Sequence, residues 1–219
     1  MGPQAGVAFC NRLIEISAQD FGAKTGDEFP EIIFNSIPVP DFFASIPNQK
    51  KALKILIQKV QELNKLEIEC FGIACNTAHL LLPELEKVSR IPFVSMIDEV
   101  AIAVKKAKIE KIGLLGSPTT LKSNLFQESL TKYTISAVLP NESEFIFIEQ
   151  AIGNIIAGKF LQSDSAELER IAFFLKEKGA GGIILGCTEL PLVFPKKFSL
   201  PVFNSSEVLA RALLRKYYN

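Results

Sequence analysis

The chain has 219 residues, 48% of them hydrophobic and 22% charged, which is enough apolar content to bury a core in one large domain or two small ones. Its 24 basic and 24 acidic residues cancel, and no basic stripe or acidic tail is present to attract nucleic acid or anionic lipid. The opening Met1–Gly2–Pro3–Gln4 lacks a basic segment leading into an apolar one, and no apolar run nears the ~18 residues of a bilayer span, so the expected location is the cytoplasm, with no membrane partner.

In chain order, residues 50–66 carry helical periodicity and lead into Cys70–Phe71–Gly72–Ile73–Ala74, a short apolar run that reads as a buried strand ending at Cys75. A polar turn follows, then a strand introduced by proline, Ile91–Pro92–Phe93–Val94, then a helix opened by Asp98–Glu99. Next come the strand Lys111–Ile112–Gly113–Leu114–Leu115–Gly116, the turn Ser117–Pro118–Thr119–Thr120 and a further helix. The earlier order then returns: an amphipathic helix over residues 166–178, the strand Gly182–Ile183–Ile184–Leu185 ending just before Cys187, the strand Leu200–Pro201–Val202–Phe203, and a helix opened by Ser206–Glu207. This order predicts an α/β fold of two similar Rossmann-like, doubly wound, mostly parallel halves, residues 1–97 with 208–219 forming one and residues 98–207 the other.

The repeat exposes an omission. The turn Ser117–Pro118 is fed by a strand, whereas the corresponding turn Gly2–Pro3 has none before it. A first strand of a doubly wound sheet is interior, so the first half is expected to hold an empty central slot flanked by unpaired strand edges. The expectation is a natural product with about five to ten further residues upstream of Met1.

Four cysteines at irregular spacing, with no Cys-x-x-Cys pair, read as reduced thiols. Cys75 and Cys187 stand apart because each ends a parallel strand, at the sheet edge where such folds place their ligand crevice. Each is followed by small polar residues, Asn76–Thr77 and Thr188–Glu189, at an expected helix start whose free N–H groups favour an anion and lower a thiol's pKa. Two opposed thiols are what racemisation requires. One takes the Cα proton while the other protonates the opposite face, and donors on the carboxylate stabilise the carbanion.

The segments Ala74–Cys75–Asn76–Thr77–Ala78–His79 and Leu185–Gly186–Cys187–Thr188–Glu189–Leu190 are similar to the two signatures of the aspartate/glutamate racemase family. The similarity extends to the Met1–Gly2–Pro3 turn, to Asn35–Ser36–Ile37–Pro38 in the exit loop of the next strand, and to the order of elements over nearly the whole chain. The resemblance implies an amino-acid racemase with Cys75 and Cys187 as the acid/base pair, no pyridoxal phosphate, no metal, and a homodimer. It also implies that Asn76, Thr77, Thr188 and the turn residues Ser117, Thr119 and Thr120 hold the common part of the amino acid. Met1 and Glu189 are added to the expected binding set, Glu189 either tuning Cys187 or complementing the helix dipole as a first-turn residue. Two positions depart from the pattern. Where aspartate-using members carry an arginine and a lysine, this chain has Phe42–Phe43 and Ile155–Ile156. A buried substrate carboxylate without a cation costs several kcal/mol, so a neutral or apolar amino acid is expected rather than aspartate.

Other residues carry plainer expectations. Cys10 and Cys70 read as packing cysteines. His79, the only histidine, forms Cys-x-x-x-H with Cys75, but no further ligands complete a zinc site, so it is expected to cap or line the pocket. Gly179–Ala180–Gly181–Gly182 is a helix stop, Phe173–Phe174 and Leu80–Leu81–Leu82 are core, and residues 211–218 are an exposed helix end packing on the first half. The alternatives to a racemase are an enzyme resembling hydantoin racemase or maleate isomerase, and an inactive remnant or binding protein.

Overall fold

The computed structural model describes residues 2–40 and 46–219. Its first part comprises α1 (Pro3–Asp20), α2 (Ile46–Leu63), β1 (Phe71–Gly72), α3 (Leu82–Glu86) and β2 (Phe93–Val94). After α4 (Met96–Lys106) come β3 (Lys111–Gly116), α5 (Pro118–Lys122), α6 (Leu125–Thr131), β4 (Ser136–Val138), α7 (Phe145–Ile156), α8 (Gln162–Glu177), β5 (Ile183–Gly186), β6 (Val202–Asn204) and α9 (Ser205–Tyr218). No described helix is long and apolar enough to cross a membrane.

Every strand pairing is parallel, in a two-stranded sheet β1-β2 and a four-stranded sheet β4-β3-β5-β6. β3 and β5 are buried along almost their whole length, as a parallel strand covered on both faces must be. In the larger sheet the chain moves outward from β3 to β4 and then returns to β5 and β6. The order reverses between β3 and β5, so the crevice opens at their carboxyl ends, beside Ser117 and Cys187. The close approach there uses glycine: a Cβ on Gly116 would sit 3.1 Å from the Gly186 carbonyl oxygen, and one on Gly186 3.1 Å from that of Leu115.

Caps fix where the helices begin. Ser95 caps α4 by accepting the Asp98 N–H, and Asn204 caps α9 by accepting those of Ser206 and Glu207. Acidic first turns and basic last turns complement both helix dipoles. Gly179, at φ +91°, stops α8 as expected of the Gly179–Gly182 run. The largest apolar cluster centres on β3 and β5, with Leu114, Leu115, Ile183, Ile184 and Phe126 fully enclosed. Two smaller clusters join α1 to α9 and α2 to the segment after β1. The carboxyl-terminal helix packs on the first part of the chain, with Tyr218 stacked on Phe21 at 4.6 Å between ring centres.

Two expectations need correction. Phe173 is 43% exposed, its ring against Phe198 on the surface rather than in the core. Residues 30–40, including the apolar run Ile32–Ile33–Phe34 before the expected exit loop, form no strand, because among the described residues their main chain meets no strand to pair with. The first part instead contains a groove of about 440 Å³ between residues 30–37 and residues 70–74, floored by Phe9, Leu13 and Val60.

Candidate active site

Cys187 follows β5 directly and is buried. Its Sγ donates to Glu189 Oε2 at 3.1 Å, and the same oxygen accepts the Thr188 hydroxyl at 2.9 Å. The second carboxylate oxygen, Oε1, accepts the main-chain N–H of Gly2 at 3.2 Å. Glu189 is itself buried, and three donors satisfy its charge where water cannot. Gly2 is required by contact rather than conformation, since a Cβ there would stand 2.2 Å from Glu189 Oε1 and 3.4 Å from Ile156 Cγ1.

Cys75 leaves the end of the first sheet into a short 3-10 turn, Thr77–Leu81, where an α-helix was expected, and Cys187 is followed only by the three-residue turn Leu190–Leu192. With so little helix, the dipole is weak. Burial therefore dominates both thiols and raises their pKa values, opposite to the lowering expected from a helix start. The Ala78 and Thr77 N–H groups partly oppose this at Cys75. At Cys187 the shift is larger, because the negative charge of Glu189 adds to burial, and Cys75 raises it further. The two thiols and Glu189 thus lie within one another's electrostatic reach.

Hydrogen bonds join the two strand ends. Thr77 Oγ1 lies 3.2 Å from Ser117 Oγ and 2.7 Å from Thr120 Oγ1, and the latter two are 3.0 Å apart, a triangle of hydroxyls drawn from both parts of the chain. Ser117 also caps α5 through the Thr120 N–H. Asn76, fully buried, donates its Nδ2 to Ser205 Oγ at 3.0 Å. The Ser205 hydroxyl proton goes to the Leu185 carbonyl at 2.8 Å, so Ser205 can only accept from Asn76. Asn76 Oδ1 is then a buried acceptor without a partner.

His79 caps rather than ligates. Met96 donates its N–H to Nε2 at 3.0 Å, which leaves the proton on Nδ1 to bond the Cys75 carbonyl at 2.9 Å. Both ring nitrogens are occupied, and burial lowers the pKa of the ring, which stays neutral. The imidazole thereby ties the first thiol's main chain to the start of α4.

Of the residues expected from sequence, Asn76, Thr77, Ser117, Thr120, Thr188 and Glu189 lie on these networks with the two cysteines. Thr119 is half-buried and its side chain takes no part in them. Met1 and Phe42–Phe43 lie outside the described residues. Of the Ile155–Ile156 pair, Ile155 is core and Ile156 is 46% exposed beside Gly2. Ser205 and the Gly2 N–H escaped sequence reasoning; the one available signal was a polar residue directly after a strand, at the first position of a helix. Cys10 and Cys70 are half-buried and line the groove, away from the paired thiols.

Residues 1–213 match the family described as Asp/Glu/Hydantoin racemase. The chain is 24% identical over 219 residues to the broad specificity amino-acid racemase RacX of Bacillus subtilis (strain 168), covering 99% of this chain and 95% of that one. It is 30% identical over 166 residues to the glutamate racemase of Helicobacter pylori (strain J99), covering 69% of this chain and 63% of the relative. Among solved structures, an aspartate racemase homologue from Pyrococcus horikoshii OT3 superposes with a TM-score of 0.83 at 30% identity, covering 99% of this chain and 95% of that one. The Picrophilus torridus aspartate racemase superposes at 0.84 and 25% identity, covering 98% and 90%. With its two strand-end thiols set among these networks, the chain belongs to the Asp/Glu/hydantoin racemase family.

Proposed function

We propose that the chain interconverts the L and D forms of an amino acid by proton transfer at Cα between Cys75 and Cys187, in a cleft between residues 1–97 with 208–219 and residues 98–207. What carries this reading is the placing of Cys187, buried and bonded to Glu189, and the half-buried Cys75 beyond the carboxyl ends of two sheets that the Thr77, Ser117 and Thr120 hydroxyls tie together. Glu189 takes the Cys187 proton along the hydrogen bond already present, and the thiolate so formed removes the Cα proton. Cys75 delivers its own proton to the opposite face, and the roles exchange for the other enantiomer. The hydroxyls of Thr77, Ser117 and Thr120 can rotate outward to donate to the substrate carboxylate, where the carbanion's charge collects. The unpartnered Asn76 Oδ1 is an acceptor suited to the α-ammonium group.

The substrate side chain is neutral or apolar. Ile156 borders Gly2 in the stretch where a lysine was expected, and among the described residues the one charged side chain bonded to a thiol is the anionic Glu189. A second substrate carboxylate would meet repulsion rather than a partner. The similarity to a relative named for broad specificity supports the same reading. A panel of L-amino acids in deuterium oxide tests it: loss of the Cα proton signal is expected for neutral substrates ahead of aspartate and glutamate, and aspartate as clearly the fastest would overturn the specificity.

A further inference from the structure

Ser205 opens α9 and is fully enclosed, and its hydroxyl joins the segments that carry the two thiols. Leu185 pairs with Asn204 in the β5-β6 ladder, so Ser205 stands one residue past that pairing. It donates its proton to the Leu185 carbonyl at 2.8 Å, two residues before Cys187. On its other side it accepts from Nδ2 of Asn76, the residue directly after Cys75, at 3.0 Å.

The direction of these bonds is set at the Leu185 end. A carbonyl cannot donate, so at 2.8 Å the hydroxyl must, and its proton is committed there. Only lone pairs remain for Asn76, and only the NH2 end of the amide can use them. The two ends of a planar amide point apart, so Oδ1 is turned away from α9, buried and without a partner. A buried acceptor left open is costly and calls for a donor from outside the chain. The Thr77, Ser117 and Thr120 hydroxyls bond one another and can be re-aimed. The Ser205 hydroxyl cannot, because both of its bonds are spoken for and no part of the residue reaches solvent.

We infer that Ser205 is a positioning residue for the substrate: it holds the Asn76 amide with its oxygen, not its nitrogen, towards the α-ammonium group. This role rests on the reaction proposed above. Were the amide to turn over, two N–H donors would face an ammonium group that can only donate, and the contact would become repulsive. Ser205→Ala frees the amide to do so while leaving the hydroxyls that face the substrate carboxylate in place. The loss should therefore fall on the ammonium group alone.

The test compares wild type, Ser205→Ala and Ser17→Ala. Ser17 is likewise fully enclosed and gives its proton to a main-chain carbonyl, that of Leu13 within α1, so it controls for the loss of a buried hydroxyl. Two probes are used: the neutral L-amino acid that wild type exchanges fastest in the deuterium oxide panel, and the carboxylic acid of the same carbon skeleton with hydrogen in place of the ammonium group. For alanine the pair is L-alanine and propionate. In Ser205→Ala, KM for the amino acid should rise about tenfold with kcat within about threefold, while the inhibition constant of the deaminated acid moves by less than about twofold. Ser17→Ala should move none of these by more than about twofold. In an Asn76→Ala background, adding Ser205→Ala should raise KM no further, since the serine acts through that amide. An unchanged KM in Ser205→Ala, an equal loss for both probes, or a Ser205→Ala chain that does not fold overturns the inference while the racemase reading stands. A wild type that exchanges no amino acid of the panel overturns both.

Discussion

Cys187 donates its thiol proton to Glu189, 3.1 Å from Sγ to Oε2 with both residues buried, while no hydrogen bond of this kind joins Cys75 to a carboxylate among the described residues. The two thiols are therefore matched in position and unequal in surroundings. Glu189→Gln keeps the size and removes the base. We expect kcat to fall by about a hundredfold. Because L and D forms are equal in free energy, kcat/KM must fall equally in both directions. The asymmetry appears instead in the primary isotope effect with Cα-deuterated substrate, which should rise for the enantiomer whose proton goes to Cys187. An unchanged kcat would remove Glu189 from the reaction.

Gly2→Ala tests the same carboxylate from the other side. The new Cβ, 2.2 Å from Glu189 Oε1, forces the flexible carboxylate aside. Activity should drop by about tenfold or more, in the range expected when a buried charged hydrogen bond is disturbed, with little change in melting temperature. Equal activity in Gly2→Ala and wild type would show that this contact does not position Glu189.

The pH dependence follows from the direction of the thiol shifts. Burial raises both pKa values, so both groups are protonated at neutral pH and the thiolate fraction grows as pH rises. One thiolate and one thiol are needed together. The kcat/KM profile should climb from about pH 7 to about pH 9 and fall only where both thiols ionise. A plateau across that interval would contradict the protonated resting state.

For His79 the readout is stability. Burial holds its folded pKa below the ordinary histidine value of about 6.5, so the unfolded chain binds the extra proton first. Stability should decrease as pH falls below about 6.5 and the slope should flatten in His79→Gln, as denaturant midpoints across that range would measure. An unchanged slope in the variant would assign the acid sensitivity elsewhere.

Much of this was readable from residues alone, for physical reasons. The strands β3 and β5 are buried on both faces and written as continuous apolar runs, and the caps Ser95 and Asn204 stand where the strand pattern stops. Cys187 was legible because it sits directly after such a run, whereas Cys75 follows an apolar run, residues 70–74, that was expected to be a buried strand and in which only Phe71–Gly72 pair and no residue is buried. Less legible were features set by three-dimensional neighbours. The resemblance implied a strand before the exit loop Asn35–Pro38, yet a strand forms only when an adjacent chain accepts its hydrogen bonds, and none does so there among the described residues. The thiol pKa shifts had the opposite sign because burial, which depends on packing from distant elements, outweighs a 3-10 turn too short to build a dipole. Ser205 reaches Asn76 from far along the chain, a contact that no local pattern announces.

The most direct measurement follows Cα exchange in deuterium oxide with each pure enantiomer of a neutral amino acid, for wild type, Cys75→Ala and Cys187→Ala. Wild type should exchange and interconvert both forms. Each variant should lose interconversion entirely and retain exchange, if slowed, for one enantiomer only, the opposite one in the two variants. Interconversion surviving in either variant, or both variants sparing the same enantiomer, would contradict two thiols acting on opposite faces of one carbon.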